Sequence, residues 1–235
     1  MNRLLTALQA DIRLQFRNGF YWAAAFVASC WIILLRQLQL DDWYRLLPVF
    51  FLSNLLAGTF YFVAGLVLLE KREGTLTAQI VTPLRDWEYL ASKTLSLGGL
   101  AILESYAILA LTGLELRPIP LLLGVAACSV MLTLTGFICV SRFSSINEYL
   151  FPSFLITLIF VPPFLDYLGI LESSFNLVHP LAPPLMLASL ALEGASSPAD
   201  WLYGLTGSVL WSGLLFWAAI RAYRRFVVAE EGGSP

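Results

Sequence analysis

Few residues in this sequence are placed to do chemistry, and most of them fall between Glu70 and Lys93, where Glu70-Lys71-Arg72-Glu73 runs into Gly74-Thr75-Leu76 and then Thr82-Pro83. Elsewhere the candidates are isolated: the carboxyl of Glu104 inside an apolar run, the charged turn Arg142, Asn147 and Glu148, and His179, the sole histidine, beside Pro180. A zinc protease needs paired histidines, as in His-Glu-x-x-His, and one histidine cannot supply them. A serine hydrolase needs an activated hydroxyl. Its Gly-x-Ser pattern occurs only at Gly194-Ala195-Ser196 and Gly232-Gly233-Ser234, outside the long apolar runs. ATP hydrolysis needs Gly-x4-Gly-Lys-Ser/Thr, so that backbone amides can approach the phosphates. The one Lys-Thr pair, Lys93-Thr94, has Ser92 and Trp87 where those glycines belong. Cys30, Cys128 and Cys139 lie in apolar runs and are odd in number, which suits packing rather than a disulfide framework. The reading therefore has no catalytic residue and no metal site, and an intramembrane enzyme is only a remote alternative.

The elements that must position these residues are membrane helices. Of 235 residues, 58% are apolar and 13% charged, and mean hydropathy is +0.76, far from the balance of a water-soluble domain. Net charge is −2, so nucleic acid is excluded as a partner. Apolar runs at 20–35, 46–69, 94–114, 119–140, 149–170 and 201–220 predict six spans in one transmembrane domain covering 1–235. The short first run borrows Tyr21 and Trp22 as interfacial flanks. It also contains Val27-Ala28-Ser29-Cys30, which looks like a lipoprotein cleavage box, but a long charged lead containing Asp11 and the continuing apolar run argue against a signal peptide. Residues 2–18 carry Leu4, Leu8 and Ile12 on one face with Arg3, Arg13 and Arg17 available for another, the pattern of an interfacial helix. With both termini cytoplasmic, the inner segments hold eleven of the fourteen Lys and Arg residues and the outer loops three, Arg36, Arg45 and Arg117. Residues 175–192 are apolar but broken by Pro180, Pro183 and Pro184, which predicts a re-entrant hairpin at the outer face.

The connection 70–93 is far longer than the two to eight residues usual between bundle helices. Leu76 and Ile80 fall on one helical face before Pro83 stops the helix, which predicts a small apolar ridge facing the cytosol. Fixed at both ends to spans, such a ridge suits a lever pushed by a cytoplasmic protein, or equally a surface helix resting on headgroups.

The run Glu-Lys-Arg-Glu-Gly-Thr-Leu, then Thr82-Pro83 and a later Lys93, resembles the cytoplasmic motif of type-2 ABC exporter permeases. Phe60-Tyr61-Phe62-Val63-Ala64-Gly65-Leu66 and Ser145-Ile146-Asn147-Glu148 are most like the branch labelled fluoroquinolone export permeases. The resemblance implies an all-α, six-span permease of a prokaryotic plasma membrane, carrying no cofactor itself and working with a second permease copy, identical or a close paralogue. A separate ABC ATPase would bind ATP and Mg. It also implies that the helix between the second and third spans is a coupling helix, docking through Glu73, Gly74, Thr75, Leu76, Ile80, Thr82 and Pro83, with a secondary ATPase contact possible at Arg142, Asn147 and Glu148. A haem-delivery or other assembly permease of related architecture is the alternative.

For cargo, the sparse intramembrane charge favours an apolar or amphipathic small molecule, drug-like or lipid-like, over an ion or a strongly anionic solute. Glu104 could hold a cationic group of that cargo, or be a neutral acid bonded to a neighbouring helix. Phe60, Tyr61, Phe154 and Phe160 could line a path, although such rings more often pack or face lipid. Asp166, near the end of the fifth span beside Tyr167, reads as structural, and Pro162-Pro163 should bend that span. His179 reads as a locally bonded loop histidine.

Overall fold

The computed structural model describes residues 3–37, 44–76, 84–192 and 197–228. Among these the chain is helical, and six helices are long and apolar enough to cross a membrane: Phe20–Gln37, Tyr44–Glu73, Asp86–Thr112, Pro118–Val140, Ile146–Tyr167 and Pro198–Val227. They are preceded by α1 (Arg3–Arg17), which reverses at Gly19, whose φ of 80° is open to a residue without a Cβ, into α2 (Phe20–Gln37), the first span. The second span joins α3 (Leu47–Leu55) to α4 (Phe62–Glu73) through a π-helical segment, Leu56–Tyr61. The third and fourth spans are α5 (Asp86–Thr112) and α6 (Pro118–Val140). The fifth is α7 (Ile146–Ile159) followed by α8 (Val161–Tyr167), broken where Pro162 and Pro163 remove two successive donors. A short helix α9 (Ala182–Ser189) precedes α10 (Pro198–Ala222), the last span.

The third span begins at Asp86, well ahead of the apolar run at Thr94. Arg85 stands at its N-cap, where its backbone N–H donates to Glu88 at 2.8 Å, so polar capping rather than hydropathy sets the start. The centre of the bundle is α6, packed on α5, α9, α10 and the second span. Glycines make two of these contacts possible. A Cβ on Gly124 would lie 2.7 Å from the Pro184 carbonyl oxygen and 2.8 Å from the Ala188 nitrogen, so α9 rests directly on the backbone of α6. A Cβ on Gly136 would lie 2.6 Å from the Phe60 carbonyl oxygen, which seats the π-helical segment against the same helix.

Helix α1 turns polar residues inward. Asp11 and Gln15 are buried against α5, while Leu5, Ile12 and Phe16 face outward. The Gln15 amide nitrogen donates to the Ser96 hydroxyl at 2.7 Å.

Candidate coupling site

The charged residues around the 70–93 connection converge at the end of the bundle that holds α1 and the end of α10. At its centre is Lys93, whose side chain is 1% exposed. Its ammonium lies 2.6 Å from Glu70 Oε1 and 2.9 Å from Asp11 Oδ1, and both carboxylates are themselves buried. Each carboxylate has a second donor: the Tyr89 hydroxyl reaches Glu70 Oε2 at 2.7 Å, and the Ser92 hydroxyl reaches Asp11 Oδ2 at 2.6 Å. The Tyr89 ring stacks on Tyr223 at 4.9 Å between centroids and lies beneath the Lys93 ammonium. Two carboxylates, one ammonium and two hydroxyls thus satisfy one another where water is excluded, the condition under which buried charge is tolerated.

This cluster fastens both roots of the connection. Glu70 belongs to α4, which leads in, and Tyr89, Ser92 and Lys93 belong to α5, which leads out. Asp11 ties both to α1. Further fastenings surround it: Arg17 of α1 bridges both Glu73 oxygens at 3.1 Å, and Arg224, beyond α10, pairs with Asp86. Lys71 donates to the carbonyl oxygens of Ser141 and Phe143 at 2.9 and 3.0 Å, reaching the turn between the fourth and fifth spans.

Gly74 ends α4 with φ +66°, a left-handed C-cap whose N–H returns to the carbonyls of Glu70 and Lys71. That reversal sends Leu76 into the core, where its exposure is 0%. Leu76 is therefore an anchor rather than part of an outward ridge, because the αL turn redirects the face that a straight helical projection assigns to the cytosol. Thr75 is half-buried, and its hydroxyl donates to the Glu70 carbonyl at 3.2 Å. Glu73, Gly74, Thr75 and Leu76 are thus held together at the root; Ile80, Thr82 and Pro83 lie outside the described residues. In the neighbouring turn, Arg142 lies over the Phe226 ring at 5.0 Å, and Glu148 accepts from the Ser144 hydroxyl at 3.1 Å, leaving Asn147 exposed.

The residues considered for a cargo path separate. Phe60, Tyr61 and Phe160 pack in one cluster with Tyr149, with Phe60 at its centre. Phe154 faces outward from α7 and does not join them. Glu104 is buried and accepts from the Asn54 amide at 2.9 Å, while Asn54 accepts from the Trp31 indole at 3.0 Å. A chain of two hydrogen bonds therefore links the first three spans, which favours the structural side of the two readings of Glu104. Gly58, in the π-helical segment, lets the carboxyl approach: a Cβ there would sit 3.5 Å from Glu104 Oε2.

Composition and spacing did not reveal the inward role of Asp11. The available signal was a carboxylate flanked by Ile12 and Ala10 in a helix whose other charges are all basic, with a lysine at the start of a distant apolar span.

The model of the fluoroquinolones export permease protein family matches residues 2–231. The chain belongs to that family. Two relatives from Mycobacterium tuberculosis, strains CDC 1551 / Oshkosh and H37Rv, both carry the name fluoroquinolones export permease protein. Each is 28% identical to this chain over 235 residues, covering 99% of both partners. No solved structure matches it. For this export permease family member, a six-helix bundle with a buried ion-pair cluster at the two roots of one connection is the framework on which function has to be built.

Proposed function

We propose that the chain is the membrane-spanning permease subunit of an ATP-driven ABC exporter. It moves an apolar or amphipathic drug-like or lipid-like molecule out of a prokaryotic cell, with both termini in the cytoplasm. Family membership supports the transport class, and the names of the mycobacterial relatives support a fluoroquinolone-type drug as cargo. The observation that carries the mechanism is the buried cluster Asp11, Glu70 and Lys93 at the two roots of the connection.

A separate ATPase subunit binds ATP and Mg and grips the segment Glu73–Pro83. A second permease copy completes the path. When the ATPase pair closes, the segment is displaced. Because its roots are fastened to each other and to α1, the second and third spans and the N-terminal helix move as a unit rather than the loop flexing alone. Lys71 carries part of that motion to the turn holding Arg142, Asn147 and Glu148. Ligand binding and nucleotide state then bias one equilibrium between inward-open and outward-open bundles.

The test is reconstitution of the permease with its ATPase in proteoliposomes. Gly74→Pro, which cannot adopt φ +66°, should insert and still recruit the ATPase, yet uncouple drug-stimulated hydrolysis from export. Normal coupling in that variant removes the lever. An ATPase that neither co-purifies with the wild-type chain nor responds to it removes the whole reading.

A further inference from the structure

At the end of the bundle away from the charged cluster, α8, the segment leading to α9, α9 itself and the start of α10 line an open pocket of about 220 Å³. Its walls include Asp166, Tyr167, Asn176, Met186 and Tyr203. Three features mark it as a built site. Asp166 uses one carboxylate oxygen to accept from the Ser173 N–H at 2.9 Å and has no ion-pair partner among the described residues, so the cavity holds an uncompensated negative charge. Asn176 is 7% exposed, and its side-chain amide nitrogen is buried without an acceptor among the described residues. Tyr203 is fixed by its hydroxyl, which donates to the Leu177 carbonyl at 2.6 Å, so its ring is held in the lining, to which Tyr167 adds a second ring.

A carboxylate without a counter-ion asks for a cation, aromatic walls favour a cation attached to a flat apolar body, and an orphaned amide donor asks for an acceptor. Buried polar groups left in this state cost stability unless something satisfies them. We infer that this cavity is a binding site for an arylalkyl amine that carries its positive charge at Asp166, its ring against Tyr167 and Tyr203, and an acceptor oxygen toward Asn176.

The site goes beyond the export reading and does not depend on it: it is built within one chain, at the end of the bundle remote from the coupling segment, and needs no ATPase to be occupied. Pro163, Leu185 and Met186 add apolar lining, and the volume of about 220 Å³ suits an occupant with a single ring system.

The experiment uses the full chain in lipid nanodiscs without any ATPase, titrated with 4-methoxybenzylamine and with its neutral partner 4-methoxybenzyl alcohol, empty nanodiscs being subtracted. The amine should bind at least about tenfold more tightly than the alcohol, since a hydrogen bond to a charged group is the main difference between them. Asp166→Asn keeps the acceptor for the Ser173 N–H and should abolish that preference, whereas Glu172→Gln, which removes a neighbouring exposed charge, should leave it intact. Met186→Trp should fill the cavity and weaken both probes. The inference is overturned by equal binding of amine and alcohol to the wild-type chain, by an amine preference that survives Asp166→Asn, or by saturable binding of neither probe, the result expected of a cavity that holds only water. Since no step involves hydrolysis or transport, failure here leaves the coupling proposal standing, and failure of coupling leaves this result standing.

Discussion

Replacing Lys93 by Met removes the only ammonium from a site with two carboxylates while keeping most of the side-chain volume. At an effective dielectric near ~20, unit charges 2.9 Å apart attract by about 6 kcal/mol before desolvation is counted. Desolvation offsets much of this, and the net effect of removing one partner of a buried pair is about 3–5 kcal/mol, because the abandoned charge stays buried. Here two carboxylates are abandoned together and repel each other, which places Lys93→Met at the upper part of that range. The comparison is internal. Arg17 and Glu73 pair at the same end of the bundle, but their side chains are 65% and 34% exposed, and such pairs contribute about 0–1 kcal/mol. Reversible unfolding in mixed micelles, followed by tryptophan fluorescence, should show a large loss for Lys93→Met and a small one for Arg17→Ala. Adding Asp11→Asn and Glu70→Gln to Lys93→Met should restore part of the loss, since the triple variant has no buried charge left to strand. If Lys93→Met lies within about 1 kcal/mol of wild type, the cluster is not the fastening described above.

Other outcomes follow from the same geometry. Gly124→Ala and Gly136→Ala push a methyl group against backbone atoms and should each destabilise the chain by about 1–3 kcal/mol in that unfolding assay; Gly99→Ala, where nothing lies within 4 Å, should not. Glu104→Gln retains the acceptor for Asn54 and should export cationic and neutral drugs in the wild-type ratio, measured by drug efflux from loaded vesicles, whereas Glu104→Leu strands the Asn54 amide at a cost of about 1–3 kcal/mol. Leu76→Ala should cost about 2–5 kcal/mol as a core truncation. His179 is bonded through Nε2 to the Ile159 carbonyl and through Nδ1 to the Leu181 N–H, a neutral tautomer, and burial lowers its pKa from the ordinary 6.5. Its contribution to stability is complete above that value and falls away as acidification below it protonates the unfolded chain first. Unfolding between pH 7.5 and 5 should therefore show a loss in wild type that His179→Gln lacks.

Six spans were legible because length and hydropathy dictate them. What the sequence concealed was the facing of polar residues. In an aqueous protein Asp11 and Gln15 would be assigned to solvent, but α1 lies beside a bundle whose exterior is apolar, and Leu5, Ile12 and Phe16 take the outside instead. The start of the third span at Asp86 escaped hydropathy for a related reason: Tyr89, Ser92 and Lys93 are polar by type, yet they are buried because their partners arrive from α1 and α4. Leu76 was misread as outward because a helical wheel assumes one continuous helix, and the positive φ at Gly74 breaks it. At the cargo-path candidates, the pairing of Phe60 with Phe160 depends on the proline break in the fifth span, which residue type alone does not locate in space.

The most direct measurement is photo-crosslinking from the coupling segment in native membranes. A benzophenone amino acid at Thr75 should capture an ATP-hydrolysing subunit in a yield that changes between ATP and vanadate-trapped states, while the same probe at Glu172 should capture none. A probe at Thr75 that captures no nucleotide hydrolase, or captures one with a yield indifferent to nucleotide, contradicts the account.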